Sequence, residues 1–459
     1  MKTPELPSSN LTRRRFLTTA GAATLGAPSV LRAVGQNEKI QHACIGVGGM
    51  GANDLKNIQQ HAHTKIVALC DVDRNFLENA KKQVPGVRTY TDWREMLEKE
   101  GDKTDSVNVT VPDHMHAAIG LAALRQGKHI YCQKPMCHDV AEVRAMDRVS
   151  KEKGLITQLG TQAASGFGDR MAVHYMKSGV LGKIKRLVLC SNRPGAIEKY
   201  RLVGPRPSKG SPVPEHLNWE IWTGNAPMRE YAPAIYHPRI WRSWQDFGTG
   251  WSGDIGCHIF DSVWKGLDLQ PPKTVSARVQ ESWQNDKARR RDTWPQSDHI
   301  TWTLPGNQYT EGDEIMLEWF DGLFYPPEDV MKVYTDTFPG TKYPHESSCV
   351  IGTEGTMILP NGSGPILLPR EKFKGIAKPD LKARNHYHHW LDAIRGTEKN
   401  ESHFQQTGPM TEAILLGTIA VRLPDTELQW DPEAMKITNS TEANALLRRE
   451  YRDGWNLTL

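Results

Sequence analysis

Residues 40–51 read Ile40-Gln41-His42-Ala43-Cys44-Ile45-Gly46-Val47-Gly48-Gly49-Met50-Gly51. A short apolar run enters G-x-G-x-x-G, and a helical pattern follows over Asn53–Gln60. Gly46 permits a tight turn, Gly48 lets a pyrophosphate approach the backbone, and Gly51 permits close packing of helix on strand. The helix N-terminus, reached through Gly49 and Met50, offers N–H donors and the positive end of its dipole to phosphates. Asp71 ends the next apolar run, Lys65–Asp71, 20 residues beyond Gly51. A carboxylate there can accept hydrogen bonds from an adenosine ribose diol and repels a 2′-phosphate. The stretch therefore reads as an NAD site, with Arg74 nearby keeping NADP open. The competing reading is a glycine-rich turn followed by a helix-capping Asp.

Outward from this stretch the pattern alternates. Ile40–Gly46, Lys65–Asp71, Ser106–Val111 and His129–Cys132 read as strands. Asn53–Gln60, Asn75–Gln83, Trp93–Lys99, Ala117–Gln126 and Ala141–Lys153 read as helices. Asp92 with Glu95 can form a capping box, and Gly127 and Gly154 sit where helices end. Short strands alternating with helices predict a parallel sheet with right-handed crossovers, a Rossmann domain over 38–160. After residue 160 the composition becomes β-rich, with strands expected at Ile184–Asn192, Val275–Ser282, His299–Thr303 and Ile315–Trp319. Residues 161–459 read as a second α/β domain for substrate binding and oligomerisation. The charged Lys287–Asp292 stretch reads as solvated surface.

The chain has 459 residues, with 57 basic and 53 acidic. Residues 1–35 hold Lys2, Arg13, Arg14, Arg15 and Arg32 against Glu5 alone, so the remainder is balanced at 52 of each. A neutral body argues against nucleic acid as a partner. No uncharged apolar run of 18 residues is present, so stable membrane insertion is not expected. Residues 1–35 read as an export signal: Arg13-Arg14-Arg15-Phe16-Leu17 resembles a twin-arginine motif, and Ala33-Val34-Gly35 offers a cleavage site. The expected location is the periplasm or beyond. The alternative is a disordered tail or an uncleaved anchor. Seven cysteines without CxxC pairs argue against a disulfide framework or a structural zinc site. Reduced thiols in an exported chain fit a route that carries folded proteins, which also allows a cofactor to be loaded first.

Asp254 and His258, at i and i+4, fall on one face if the segment is helical. A carboxylate that orients an imidazole is a general acid/base unit. Metal binding is a weaker reading, with one His and one Asp supplied locally, and no metal is expected. A buried, satisfied histidine is the bland alternative. Tyr236–Trp244 interleaves aromatics with arginines, an arrangement suited to sugars. Arg239, Trp241 and Trp251 are candidate substrate contacts, although Trp in a loop is often core. Asn192, Arg193 and His386 are weaker candidates. Pro112, His114 and His116 follow a strand, where ligands bind in such sheets, and His116 is a candidate cofactor contact.

Six motifs fall in one order: GVGGMG at 46–51, CDVDR at 70–74, TVPDHMHA at 110–117, GKHIYCQKPM at 127–136, WSGDIGCHIFD at 251–261 and IGTEG at 351–355. Together they resemble the Gfo/Idh/MocA family of nicotinamide-dependent oxidoreductases, which act mainly on sugars and cyclitols. The resemblance implies a Rossmann domain followed by an α/β domain with a large, mostly antiparallel sheet, and a homo-oligomer. It also implies that Lys134 is the catalytic lysine, His258 the base and Asp254 its partner. The family's Glu-Lys-Pro is here Gln133-Lys134-Pro135. A neutral amide can still hydrogen-bond a ribose, but it removes a negative charge beside the ammonium. Hydride transfer on a sugar, glycoside or polyol is the activity expected, with a tightly held, recycled NAD. A glycosidase acting by transient oxidation is the second reading, and a non-catalytic NAD- or sugar-binding protein is the third.

Overall fold

The computed structural model describes residues 38–193 and 205–459. The expected export signal lies outside the described residues. The chain opens with β1 (Ile40–Ile45), α1 (Met50–Gln59), β2 (Thr64–Cys70), α2 (Arg74–Gln83), β3 (Arg88–Tyr90) and α3 (Trp93–Glu100). There follow β4 (Ser106–Val109), α4 (His116–Arg125), β5 (His129–Cys132), α5 (Val140–Glu152) and β6 (Thr157–Leu159). Among the described residues these strands form a six-stranded parallel sheet in the order β3-β2-β1-β4-β5-β6. Because β1 lies between β2 and β4, the loops leaving β1 and β4 diverge, and a crevice opens at their carboxyl ends.

The sheet is covered on both faces, which is why its strands read as continuous apolar runs. Ile40, Cys44 and Leu69 pack in one cluster with Leu55 and Ile58 of α1 and with Tyr387, Trp390, Leu391 and Ile394. Those last four belong to a helix far along the chain, His386–Ile394. The division expected at residue 160 is thus not a division of the packing.

The second layer holds α6 (Phe167–Lys177), β7 (Ile184–Ser191) and α7 (Gly250–Gly266), then β8 (Thr274–Val279), β9 (Asp298–Pro305) and β10 (Glu314–Asp321). It continues through α8 (Glu328–Thr335), β11 (Glu346–Gly352), β12 (Thr356–Pro360), β13 (Ile366–Leu368), α9 (His386–Ile394), α10 (Phe404–Arg422), β14 (Leu428–Asp431) and β15 (Lys436–Ile437). Its nine described strands run β13-β12-β11-β7-β10-β9-β8-β14-β15, antiparallel except where β7 meets β10. α7 and α10 pack together on this sheet, burying Cys257, Phe260 and Val263 against Ile414 and Trp302 in one shared core.

Several local expectations are corrected. β3 and β6, three residues each, are too short for their apolar pattern to stand out. The strand expected over Val275–Ser282 ends at Val279, and Glu281–Gln284 is a helical turn. Lys287–Asp292 is a short helix whose last residue is buried: Asp292 pairs with Arg206 at 2.5 Å and with Arg291 at 3.0 Å. Asp92 caps α3 through the Arg94 N–H, but Glu95 pairs with Lys99 instead of closing a capping box. Gly127 and Gly154 end their helices at φ 76° and 60°. All seven cysteines are buried and free.

Candidate active site

The crevice beside β1 is the mouth of a cleft of about 700 Å³, lined on one side by Gly46, Gly48, Gly49, Met50, Asp71, Phe76 and Pro112. The glycines are there because nothing larger fits. Gly46 has φ +81°, and a Cβ on it would lie 2.0 Å from the Thr110 carbonyl oxygen. A Cβ on Gly51 would lie 2.2 Å from the Gly46 carbonyl oxygen, so this residue holds α1 against the turn without lining the cleft. α1 starts at Gly49 with no side-chain cap and no acidic residue in its first turn, which leaves its N-terminus as an anion receptor. The residues present therefore fit a dinucleotide.

Asp71 lines the same cleft, but its carboxylate braces the loop. Oδ2 accepts from the Val47 and Gly48 N–H groups at 2.8 and 3.1 Å, and Oδ1 from Asp73 N–H at 2.9 Å. Burial pushes its pKa above the ordinary carboxylate range, against these hydrogen bonds. Arg74 is exposed and does not line the cleft.

At the other end of the cleft stands Lys134, directly after β5. Its Nζ donates to the Asp254 carbonyl at 2.6 Å and lies 2.5 Å from Asp254 Oδ1. The other oxygen of Asp254 lies 3.3 Å from Arg242 Nε. A second carboxylate, Asp113, is buried beside them and accepts from Thr249 Oγ1 at 2.9 Å. Burial, then the Asp254 charge, push Asp113 up to about 7, while Arg242 and Lys134 act the other way. His258 sits one turn beyond Asp254 on α7. Burial and the facing Lys134 charge push its imidazole down to about 3, so it is neutral over the working range. Among the described residues its ring has no hydrogen-bond partner. The expectation that Asp254 orients His258 is corrected: the carboxylate is committed to Lys134 and Arg242.

Gln133 lines the cleft, yet its amide turns inward and donates to both oxygens of Asp54 at 3.1 and 2.9 Å. Asp54 is fully buried and also accepts from Thr110 and Tyr387, each at 2.7 Å. Gln133 is therefore not placed as a ribose contact. His116 is not a cofactor contact either. Its fully buried ring stands between two carbonyls, 2.7 Å from that of Pro135 and 2.9 Å from that of Val111. It ties the Lys134 loop to the Pro112 loop.

Among the substrate candidates, Arg239 and Trp241 line the cleft, and Asn192, Arg193, Trp251 and His386 do not. Asn192 donates to the Gly322 and Phe324 carbonyls. Arg193 stacks over Trp251 at 5.3 Å, and the Trp251 indole donates to Ser191. His386 is 5% exposed, with its ring committed to Ser165 and the Leu159 carbonyl. Asp54, Asp113, Arg242, His237 and Trp222 belong to the site without a sequence signal of their own. Asp113 lies between Pro112 and His114. His237 and Arg242 lie inside the aromatic–arginine stretch without standing out from it. Among the described residues no group of three or more His, Cys, Asp or Glu is arranged to hold a metal, and no helix is long and apolar enough to cross a membrane.

A glycine-loop cleft on a parallel sheet that also carries Lys134, closed by a second α/β layer that supplies its carboxylate partner Asp254, defines a two-domain dinucleotide-binding protein. Residues 40–161 match the oxidoreductase family with an NAD-binding Rossmann fold, and residues 170–327 match that family's C-terminal α/β domain. Together the two matches cover more than half of the chain, which belongs to the Gfo/Idh/MocA oxidoreductase family. It is 30% identical over 94 residues to levoglucosan dehydrogenase of Pseudarthrobacter phenanthrenivorans, covering 20% of this chain and 24% of that protein. It is 22% identical over 206 residues to a glycosyl hydrolase family 109 protein of Shewanella, covering 38% of this chain and 44% of that protein. These matches span less than half the length of the curated relatives. The fold is that of scyllo-inositol dehydrogenase from Lactobacillus casei, solved with NAD(H) and scyllo-inositol: TM-score 0.57, 17% identity, 85% of this chain and 99% of that one.

Proposed function

We propose that this protein is an NAD-dependent oxidoreductase acting on a hydroxyl-bearing carbon of a sugar, glycoside or polyol, with the cofactor retained and recycled. The observation that carries the reading is the Lys134 ammonium, held by Asp254 at the end of the glycine-loop cleft. The N-terminus of α1 and the Gly46–Gly51 loop would hold the pyrophosphate, with Asp71 at the adenosine end and Lys134 at the nicotinamide end. When bound, the nicotinamide supplies the hydride acceptor or donor. Lys134 spends N–H donors on the Asp254 carbonyl and carboxylate, and its remaining donor stabilises negative charge on the substrate oxygen. His258, neutral and with no hydrogen-bond partner among the described residues, takes the hydroxyl proton. Asp113 is a second proton acceptor beside the same group.

Similarity to a levoglucosan dehydrogenase supports the sugar or polyol class. Similarity to family 109 glycosyl hydrolases supports a second reading, a glycosidase in which sugar oxidation is transient. Gln133 is no sign of lost activity, because its amide complements the Asp54 carboxylate. The twin-arginine leader supports export of a folded, cofactor-loaded protein. A homo-oligomer remains the family-level expectation. Outside the cytoplasm no free NAD pool is available, which favours a retained cofactor.

The test is a panel of sugars, polyols and aryl glycosides, read for NADH formation and for released aglycone with the parent protein, Lys134→Ala and His258→Ala. NADH formation by the parent alone supports the dehydrogenase, and aglycone release without net NADH supports the glycosidase. Equal turnover in all three proteins removes the assigned roles. An inactive parent favours a binding protein.

A further inference from the structure

The cleft has a roof that the reaction itself does not require. Residues 214–242 leave the second domain, cross the carboxyl ends of β1 and β2, and line the cleft with Ile221, Trp222, His237 and Arg239, opposite the glycine loop. The segment packs in a core that it shares with residues 244–247. Trp219 stacks on Trp222 at 4.6 Å, and both join Tyr236, Trp241, Trp244 and Phe247 in one cluster. The Arg229 guanidinium lies over Phe247 at 4.6 Å and pairs with Asp246.

Its two ends are held very differently. On the Lys134 side it is tied into the core: His114 Nε2 lies 3.1 Å from the Trp222 carbonyl, Arg452 Nε donates to the Gly224 carbonyl at 2.9 Å, and Arg452 pairs with Glu220 at 2.7 Å. On the adenosine side it meets the corner between β2 and α2, where Leu217 bridges Asp73 and the His216 ring lies 3.8 Å from the Asp73 carboxylate. There Arg74 N–H donates to the His216 carbonyl at 2.8 Å, and Asn218 N–H to the Val72 carbonyl at 2.8 Å. His237 Nε2 lies 2.9 Å from Asp73 Oδ2, with its ring against Phe76 and Trp222. Phe76 in turn lies over Gly48, where a Cβ would come within 2.3 Å of the ring.

We propose that residues 214–242 form a strap that retains the dinucleotide and opens at the Asp73–His237 contact. This rests on the NAD reading above and adds the device that makes the cofactor resident. The strap is hinged where it is tied to His114 and Arg452, and latched where it meets Asp73. A nucleotide between the glycine loop and Trp222 cannot leave until the latch parts. The class of partner reaction follows: a second small substrate must restore the cofactor's redox state in place, because exchange with free nucleotide is slow.

The test is NADH binding and release followed by fluorescence, with excess NAD as the chase, in the parent, Asp73→Asn and His237→Ala. Asn caps a helix as well as Asp does, so Asp73→Asn keeps the start of α2 while removing the charge facing His237. Release is expected to be about tenfold faster in both variants, the scale of one lost charge-assisted contact. The association rate should rise with it, because a loosened gate speeds passage both ways. Arg74→Ala, which keeps its backbone hydrogen bond to His216, should match the parent. Equal rates in all four proteins, or faster release without faster association, overturn the strap. A parent protein that binds no NADH at all removes the NAD reading, and the strap with it.

Discussion

Lys134 Nζ and Asp254 Oδ1 lie 2.5 Å apart, joining the end of β5 in the first sheet to α7 in the second layer. Both side chains are nearly buried, at 12% and 6% exposure. The pair therefore does two things: it holds the Lys134 amine where the substrate oxygen is expected, and it fixes the two layers across the cleft. Removing Lys134 takes away the nearer cation at Asp254 and leaves Arg242 at 3.3 Å. Lys134→Ala is expected to lower turnover by about 10²–10³-fold or more, as loss of an oxyanion-stabilising donor does. It should also destabilise the fold, by less than the ~3–5 kcal/mol of a fully uncompensated buried charge, because Arg242 stays on Asp254. Adding Asp254→Asn should recover much of the stability and none of the turnover. Urea unfolding and single-turnover NADH formation separate the two effects.

Gln133 is explained by Asp54 and not by the cofactor. A glutamate at 133 would meet a fully buried carboxylate already filled by Thr110 and Tyr387. Gln133→Glu is expected to cost about 1–3 kcal/mol of stability, and Gln133→Glu with Asp54→Asn should restore it, because the amide and the acid have exchanged places. Unfolding curves of the two single variants and the double variant close the cycle.

Asp113 makes stability depend on pH. Its pKa in the fold, about 7, lies well above the ordinary carboxylate value, chiefly through burial and then through Asp254. The folded state therefore binds this proton more tightly than the unfolded chain. Its contribution is complete below about pH 4 and is lost as pH rises through about 7. Asp113→Asn should be more stable than the parent at pH 8, with the difference shrinking toward pH 4. Thermal unfolding across that range reads the sign directly.

The glycine loop separates two kinds of constraint. Gly46→Ala must overcome both a positive φ and a Cβ placed 2.0 Å from a backbone oxygen, so nucleotide binding should be abolished. Gly49→Ala has φ +52° with ψ −114°, a sparsely populated conformation, but open space around it, so only a backbone cost of about 1–3 kcal/mol applies. NADH titration should find weakened or normal binding in Gly49→Ala and none in Gly46→Ala.

The first sheet was legible because each strand is buried on both faces and each turn carries its own marker. Gly46–Gly51 and Asp71 needed only local reading. Lys134 and its loop were found through the motif order. What escaped were partnerships between distant positions: Asp54 with Gln133, Asp254 with Lys134 rather than His258, and Asp73 with His237. The i, i+4 spacing placed Asp254 and His258 on one helix but could not show that a lysine 120 residues earlier claims the carboxylate. His386 and His116 looked like ligands because a sequence does not show the carbonyls that occupy their rings.

The central claim is a dinucleotide cleft whose cofactor stays in place, and the most direct test is chromatography of what the folded protein releases on denaturation. The account predicts NAD or NADH in near-stoichiometric amount after extensive washing of the native protein. An empty protein that also fails to take up added NAD would contradict it.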